Sequence, residues 1–181
     1  MSSIEAHTLA LAPHPFAPSD AVRAVEARVV RAPNGMLTLT YSVEGDVSRM
    51  RLPPPRPARR ADGLWRHTCL EAFVAPEPGP AYLELNFSPS GEWASYAFSA
   101  YRSGMALAED IEAPAIAVTR GEGGLAVDVT VCLRCLRGGA AARIALAAVI
   151  EGSSGSLSYW ALEHPPGKPD FHHPRGFALR I

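Results

Sequence analysis

The chain has 181 residues, 48% of them hydrophobic, and its 17 basic and 18 acidic residues leave a formal net charge of −1. That length is enough for one domain with a sizeable core. The balanced charge gives no basic footprint for nucleic acid or an anionic membrane, and no segment approaches the ~20 apolar residues of a membrane span.

Seventeen prolines and fifteen glycines imply many turns and favour short strands over helices. Residues 1–20 read as an extended N-terminal arm, with a short first strand at 7–11. Residues 21–181 read as a single domain. The N-terminus has no basic region, Glu5 comes early, and the apolar stretch 9–12 is interrupted by Pro13 and Pro15. The expected location is therefore the cytoplasm, which suits an odd count of three cysteines.

The first confident unit is a hairpin. Strands at 21–31 and 36–44 flank Pro33-Asn34-Gly35, a turn signal. In the second of these strands Leu37, Leu39, Tyr41 and Val43 share one face, and Met36, Thr38, Thr40 and Ser42 the other. A further short strand is expected at 47–52. Residues 53–60 (PPPRPARR) read as a loop whose arginines, with Arg51, form either a solvated patch or a rim for an anionic ligand or partner.

Residues 62–105 hold two of the three tryptophans and three candidate strands, at 67–75, 81–87 and 92–100. Alternation puts His67, Cys69, Glu71 and Phe73 on one face of the first, and Tyr82, Glu84 and Asn86 on one face of the second. The polar stripe through Glu71, Glu84 and Asn86 has two readings. One is the wet side of an antiparallel sheet. The other is a binding face on which Trp65, Trp93 or Tyr96 supplies flat apolar surface beside hydrogen-bonding groups.

A second hairpin joins 111–119 to 125–132 through a glycine-rich turn. The CxxC at Cys132 and Cys135 lacks the second pair of a zinc site and the βαβ context of a redox motif. Residues 136–142 read as a turn or short helix, 143–151 as a buried strand, 157–162 as a strand with Trp160 in the core, 163–174 as a rigid loop, and 176–181 as a last strand. Nine to eleven strands without a long helix make an all-β fold, an antiparallel β-sandwich of jelly-roll type.

Six histidines invite a metal reading, but no pair has a zinc spacing, and the adjacent His172 and His173 point opposite ways on an extended segment. One of that pair is expected to pack inward, its ring nitrogens satisfied by backbone groups. His67, His164 and His172 stand as candidates for ligand contact or for structure. Glu71 and Glu84 as a carboxylate pair admit glycoside hydrolysis. They equally admit sugar-hydroxyl binding, water, or pairing with Arg102 or Arg66. No nucleophile elbow, P-loop or dinucleotide fingerprint is present.

Three stretches together resemble a known family: DGLWRHTCLEAFV, YLELNFSPSGEWASYAFSAYR and SYWALEHPPGKPDFHHPRGFALRI. They are similar to bacterial DOMON-like domain proteins of the type associated with the cell-wall enzyme MurB, which are related to family 9 carbohydrate-binding modules. The resemblance implies a ligand-binding β-sandwich, with sugar or haem as the ligand class. In the carbohydrate-binding relatives, tryptophans sandwich a terminal sugar, and Trp65 matches one of them. In haem-binding members a methionine and a histidine are axial ligands, which here implies Met50 or Met105 with His164. The FHHP ending resembles a motif that closes the sandwich and implies a structural His172.

The leading expectation is a non-catalytic module for a carbohydrate or sugar-like small molecule. Its candidate ligand-binding residues are Trp65, His67, Glu71, Glu84, Asn86, Trp93, Tyr96, Arg102, His164 and His172. The alternatives are haem binding for electron transfer or sensing, a docking module for a cell-wall-related enzyme, and a glycoside hydrolase. No metal-binding residue is assigned, and haem and calcium stay open as cofactors.

Overall fold

In the computed structural model, which describes residues 5–181, alternation resolves into twelve strands and four short 3-10 turns. The strands are β1 (Glu5–Pro13), β2 (Val22–Arg31), β3 (Met36–Gly45), β4 (Cys69–Pro76), β5 (Tyr82–Phe87), β6 (Trp93–Phe98), β7 (Ala106–Leu107), β8 (Ala115–Gly121), β9 (Gly124–Cys132), β10 (Ala142–Glu151), β11 (Leu157–Ala161) and β12 (Leu179–Arg180). Hydrogen bonding runs through them in the order β7-β6-β5-β4-β10-β11-β1-β2-β3-β9-β8, and β12 also pairs with β10. Every strand pair is antiparallel.

The continuous order bends into two layers, and β1 is the hinge between them. Its residues from Glu5 to Leu11 pair with β2, whereas Ala12 and Pro13 pair with Ala161 and Trp160 of β11. We call β1-β2-β3-β9-β8 the first sheet and the strands from β7 to β11, with β12, the second. Between them lies one apolar core, with Leu39, Tyr41, Val127 and Val129 from the first sheet meeting Leu70, Leu85, Leu146 and Ile150 from the second. The Tyr41 hydroxyl crosses the gap and donates to the Glu71 carbonyl at 2.6 Å, so the one polar atom of that side chain is satisfied. The expected antiparallel all-β sandwich is the fold.

The first hairpin closes as its sequence predicts. Gly35 has φ of +86°, and a Cβ there would lie 2.5 Å from the Leu133 carbonyl oxygen, so the turn needs glycine for conformation and for room. Other expectations change. Residues 47–52 form no strand: Asp46 accepts from the Ser48 amide and caps a 3-10 turn over Val47–Arg49, leaving Met50 a single bridge to Gly152. The strand expected at 67–75 starts later, at Cys69, because Leu64–Arg66 is a 3-10 turn with His67 as its C-terminal cap. The last strand shrinks to Leu179–Arg180, and residues 163–178 form a strap that crosses the outer face of the second sheet.

That strap makes the two sheets differ. The second core cluster lies on the outer face of the second sheet: Phe73, Tyr82, Tyr96 and Phe98 are covered by Phe171 and Phe177 of the strap and by Leu64. The candidate hollow opens on this covered face.

Candidate functional site

Strand register assembles the polar stripe. Glu71 lies opposite Asn86, Phe73 opposite Glu84, and Glu84 opposite Tyr96, all on the outer face of the second sheet. The stripe is not a wet face. Glu71 is 3% exposed, Glu84 5% and Asn86 fully buried, because the strap and the Trp65 turn lie over them.

Burial sets the protonation of the floor. It pushes the Glu71 carboxyl well above the usual carboxylate range, and the Glu84 charge adds to the effect. Burial also raises Glu84, against the opposing hydrogen bond from Asn86 and the Arg102 charge. Asn86 donates its amide N–H to Glu84 Oε1 at 2.9 Å.

A relay leads from the floor to the rim. The Arg102 amide donates to the Tyr82 hydroxyl oxygen at 3.1 Å, and that hydroxyl meets His172 Nδ1 at 2.8 Å. Burial, aided by the Arg102 charge, lowers the His172 pKa to about 4, so the ring is neutral near pH 7. A neutral ring that accepts the tyrosine proton on Nδ1 carries its own proton on Nε2, which faces Glu84 Oε2 at 3.6 Å. His172 therefore packs inward with side-chain partners, not the backbone groups expected for it. At the rim, Arg102 pairs with Asp170 at 2.7 Å, and the Tyr101 hydroxyl donates to the same carboxylate.

Above this floor is a hollow of about 640 Å³. Its polar lining comes from Glu71, Glu84, Arg66, Arg102 and His172, and its aromatic lining from Trp65, Phe98, Tyr159 and Phe171. Trp65 is 38% exposed and is held at the mouth. Gly63, at φ of +74°, starts the 3-10 turn that carries Trp65. Tyr96 buttresses the turn from below: its ring meets the Trp65 ring edge-on, with centroids 6.1 Å apart, and its hydroxyl donates to Asp62 at 2.7 Å. Burial and the Asp62 hydrogen bond raise the Tyr96 hydroxyl far above its ordinary pKa, which keeps it a donor.

Five of the ten residues expected from sequence line the hollow: Trp65, Glu71, Glu84, Arg102 and His172. Tyr96 and Asn86 support it from beneath. Three lie elsewhere. Trp93 faces the inter-sheet core, opposite Phe87, with the Arg60 guanidinium 4.2 Å from its ring centroid. His67 caps its turn outside the strand, and its Nδ1 lies 2.7 Å from Glu151 Oε2. His164 donates from Nε2 to the Ala12 carbonyl at 2.9 Å and packs edge-on against His14. Met50, paired with His164 in the haem expectation, is in the core; Met105 lines the hollow, and His164 does not. Among the described residues no group of three or more His, Cys, Asp or Glu could hold a metal ion.

The arginine-rich loop is exposed but anchored by its side chains. Arg60 donates to Ser95 Oγ at 2.7 Å, the Ala108 carbonyl at 2.8 Å and the Ile111 carbonyl at 3.0 Å. Arg59 pairs with Glu92 at 2.8 Å. The loop remains exposed, as the solvated reading expects, and none of its arginines lines the hollow. Trp160 is core, as its apolar strand implied.

Sequence reasoning missed Phe98, Tyr159 and Phe171 as walls. For Tyr159 a signal existed: once Trp160 is assigned inward, alternation turns Tyr159 to the outer face. Phe171 sits in an irregular strap, where no periodicity reports direction. A second hollow of about 470 Å³ lies beyond His172, where Tyr82, Tyr101 and Phe177 meet the proline-rich turn at 76–80. Its charged lining is limited to Glu77 and Arg143, so fewer charged groups converge there.

No protein-family model and no curated protein sequence matches the chain. Solved structures do. A candidate carbohydrate-binding protein from Bacteroides uniformis superposes with a TM-score of 0.64 at 15% identity, over 96% of this chain and 84% of that one. A family 9 carbohydrate-binding module from Caldicellulosiruptor kristjanssonii, in complex with cellotriose, superposes with a TM-score of 0.50 at 12% identity, over 82% of this chain and 70% of that one. At such identities the likeness is one of fold.

Proposed function

We propose that the chain is a non-catalytic carbohydrate-binding module whose ligand occupies the hollow between Trp65 and the Glu71–Glu84 floor. The observation that carries this reading is a half-exposed tryptophan standing over buried, convergent polar groups. A sugar ring presents a C–H face to an aromatic plane and hydroxyls to carboxylates and guanidinium groups. The volume falls within the ~300–1,000 Å³ of small-molecule sites. The two carbohydrate-linked structural neighbours support the same reading at the level of fold.

We read Glu71 and Glu84, both raised by burial, as hydrogen-bonding groups for sugar hydroxyls rather than as a hydrolytic pair.

The test is Trp65→Ala, followed by calorimetry against a panel of mono- and disaccharides. The expected outcome is an unchanged circular dichroism spectrum and at least about a tenfold loss of affinity, the scale of one lost aromatic contact in a pocket. A folded variant that binds as the parent does would remove Trp65 from the site and sink the reading.

A further inference from the structure

The floor of the hollow is short of hydrogen-bond donors. Glu71 Oε1 and Asn86 Oδ1 are buried, and neither meets a donor. The two residues are register partners across β4 and β5. Asn86 Oδ1 stays an acceptor because its amide nitrogen is committed to Glu84 Oε1. Glu84 Oε2 is 3.6 Å from His172 Nε2, too far for a good hydrogen bond.

The floor is also short of positive charge. Among the described residues no lysine or arginine forms an ion pair with Glu71 or Glu84. Arg102 in the wall is engaged by Asp170. Arg66 is an exposed rim residue, where solvent screens it. His172 faces the pair and is neutral near pH 7, and the other titratable groups near the pair, Tyr41, Cys69, Tyr82 and Tyr96, are all raised and supply no positive charge.

Two carboxylates and an amide oxygen thus converge where two buried oxygens lack a donor and, among the described residues, neither carboxylate has a lysine or arginine ion-pair partner. A primary ammonium supplies three donors, no acceptor and a unit charge, whereas a hydroxyl supplies one donor and no charge. Among the described residues no third His, Cys, Asp or Glu joins the two carboxylates as a metal ligand.

Resting on the carbohydrate reading above, we infer that the ring bound in this hollow is an amino sugar, its ammonium seated against Glu71 and Glu84. Burial favours the protonated carboxyl in the empty site, and an ammonium favours the carboxylate, so amine binding is expected to release protons and to tighten as pH rises through the range where the pair titrates.

The test is calorimetry on the whole chain with glucose, galactose, their 2-amino counterparts, the corresponding N-acetyl sugars and ethanolamine. At least one 2-amino sugar is expected to bind about tenfold or more tightly than its neutral and N-acetyl counterparts, the scale of a charge-assisted hydrogen bond. Its binding heat is expected to vary with the ionisation enthalpy of the buffer. Glu71→Gln is expected to reduce the preference for the amine, read as the ratio of amino-sugar to neutral-sugar affinity within the same variant. Equal affinity for neutral and amino sugars overturns the inference and leaves the carbohydrate reading standing. Ethanolamine binding as tightly as the amino sugar overturns the carbohydrate reading and leaves the ammonium seat. No binding by any of them overturns both.

Discussion

The outer faces of the two sheets are made from similar alternating strands and end in opposite states. On the first sheet the outer positions stay in water: in β2, Arg23, Glu26 and Arg28 are exposed, and Arg23 pairs with Glu44 across the strand register with both side chains 62% exposed. On the second sheet the outer residues from Cys69 to Val74 are all buried. Both faces carry charged residues. The difference is a covering segment: nothing among the described residues crosses the first face, whereas the 163–178 strap and the Trp65 turn cross the second. Carboxylates that would be harmless in water become, under that cover, an acceptor-rich floor that calls for a ligand or a proton.

Substitutions on the two faces break the comparison in order of effect. Phe73 is fully buried on the outer face of the second sheet, edge-on to His172 and Phe177. Phe73→Ala is expected to cost ~3–5 kcal/mol in urea unfolding, the range for a buried aromatic. A loss near ~0.5 kcal/mol would mean that this face is not a second core.

The next largest effect is a pH dependence confined to the covered face. His172 has a folded pKa of about 4, below its ordinary value of ~6.5, so the unfolded chain binds the extra proton first. Its contribution to stability is present above pH ~6.5 and is lost as pH falls from there through about 4. The raised carboxyls Glu71 and Glu84 act with the opposite sign: their contribution is complete below the ordinary carboxylate range and is lost as pH rises through their folded values. His172→Gln removes only the first trend. Its stability relative to the parent is therefore expected to improve between pH 6.5 and 4.5, measured by urea unfolding at both. A constant difference at the two pH values would show that the ring is not held neutral by the strap.

On the uncovered face the expectation is nearly nothing. Arg23→Ala removes an exposed ion pair and should change stability by no more than ~1 kcal/mol. A larger loss would show that this face is also shielded, and the contrast between the sheets would fail.

The legible parts of the chain were those where one strand's alternation carries the information. Leu37, Leu39, Tyr41 and Val43 announce an inner face by themselves, and the Pro33-Asn34-Gly35 turn fixes its partner strand. The same period puts Glu71, Glu84 and Asn86 on one stripe, whereas the pairing of Glu71 with Asn86 and of Glu84 with Tyr96 is set by the strand register of the folded chain. It failed at the ends of elements. His67 was counted into the strand because its spacing from Glu71 is even, yet the 3-10 turn at Leu64–Arg66 breaks the period before the strand begins. Trp93 was grouped with the recognition aromatics, although parity alone, with Tyr96 three residues on, puts the two rings on opposite faces.

By itself, then, the sequence determined that the chain is an antiparallel all-β sandwich, and which residues share each strand's face, because hydrophobic alternation is a local property with a period of two. Only the tertiary structure decided which of the two outer faces is covered, and with it that Tyr159 and Phe171 join Trp65 around a hollow. That choice depends on where an irregular, proline-rich strap comes to rest. The strap has no period of its own and is placed by Phe171, His172 and Phe177 finding partners about a hundred residues earlier in the chain.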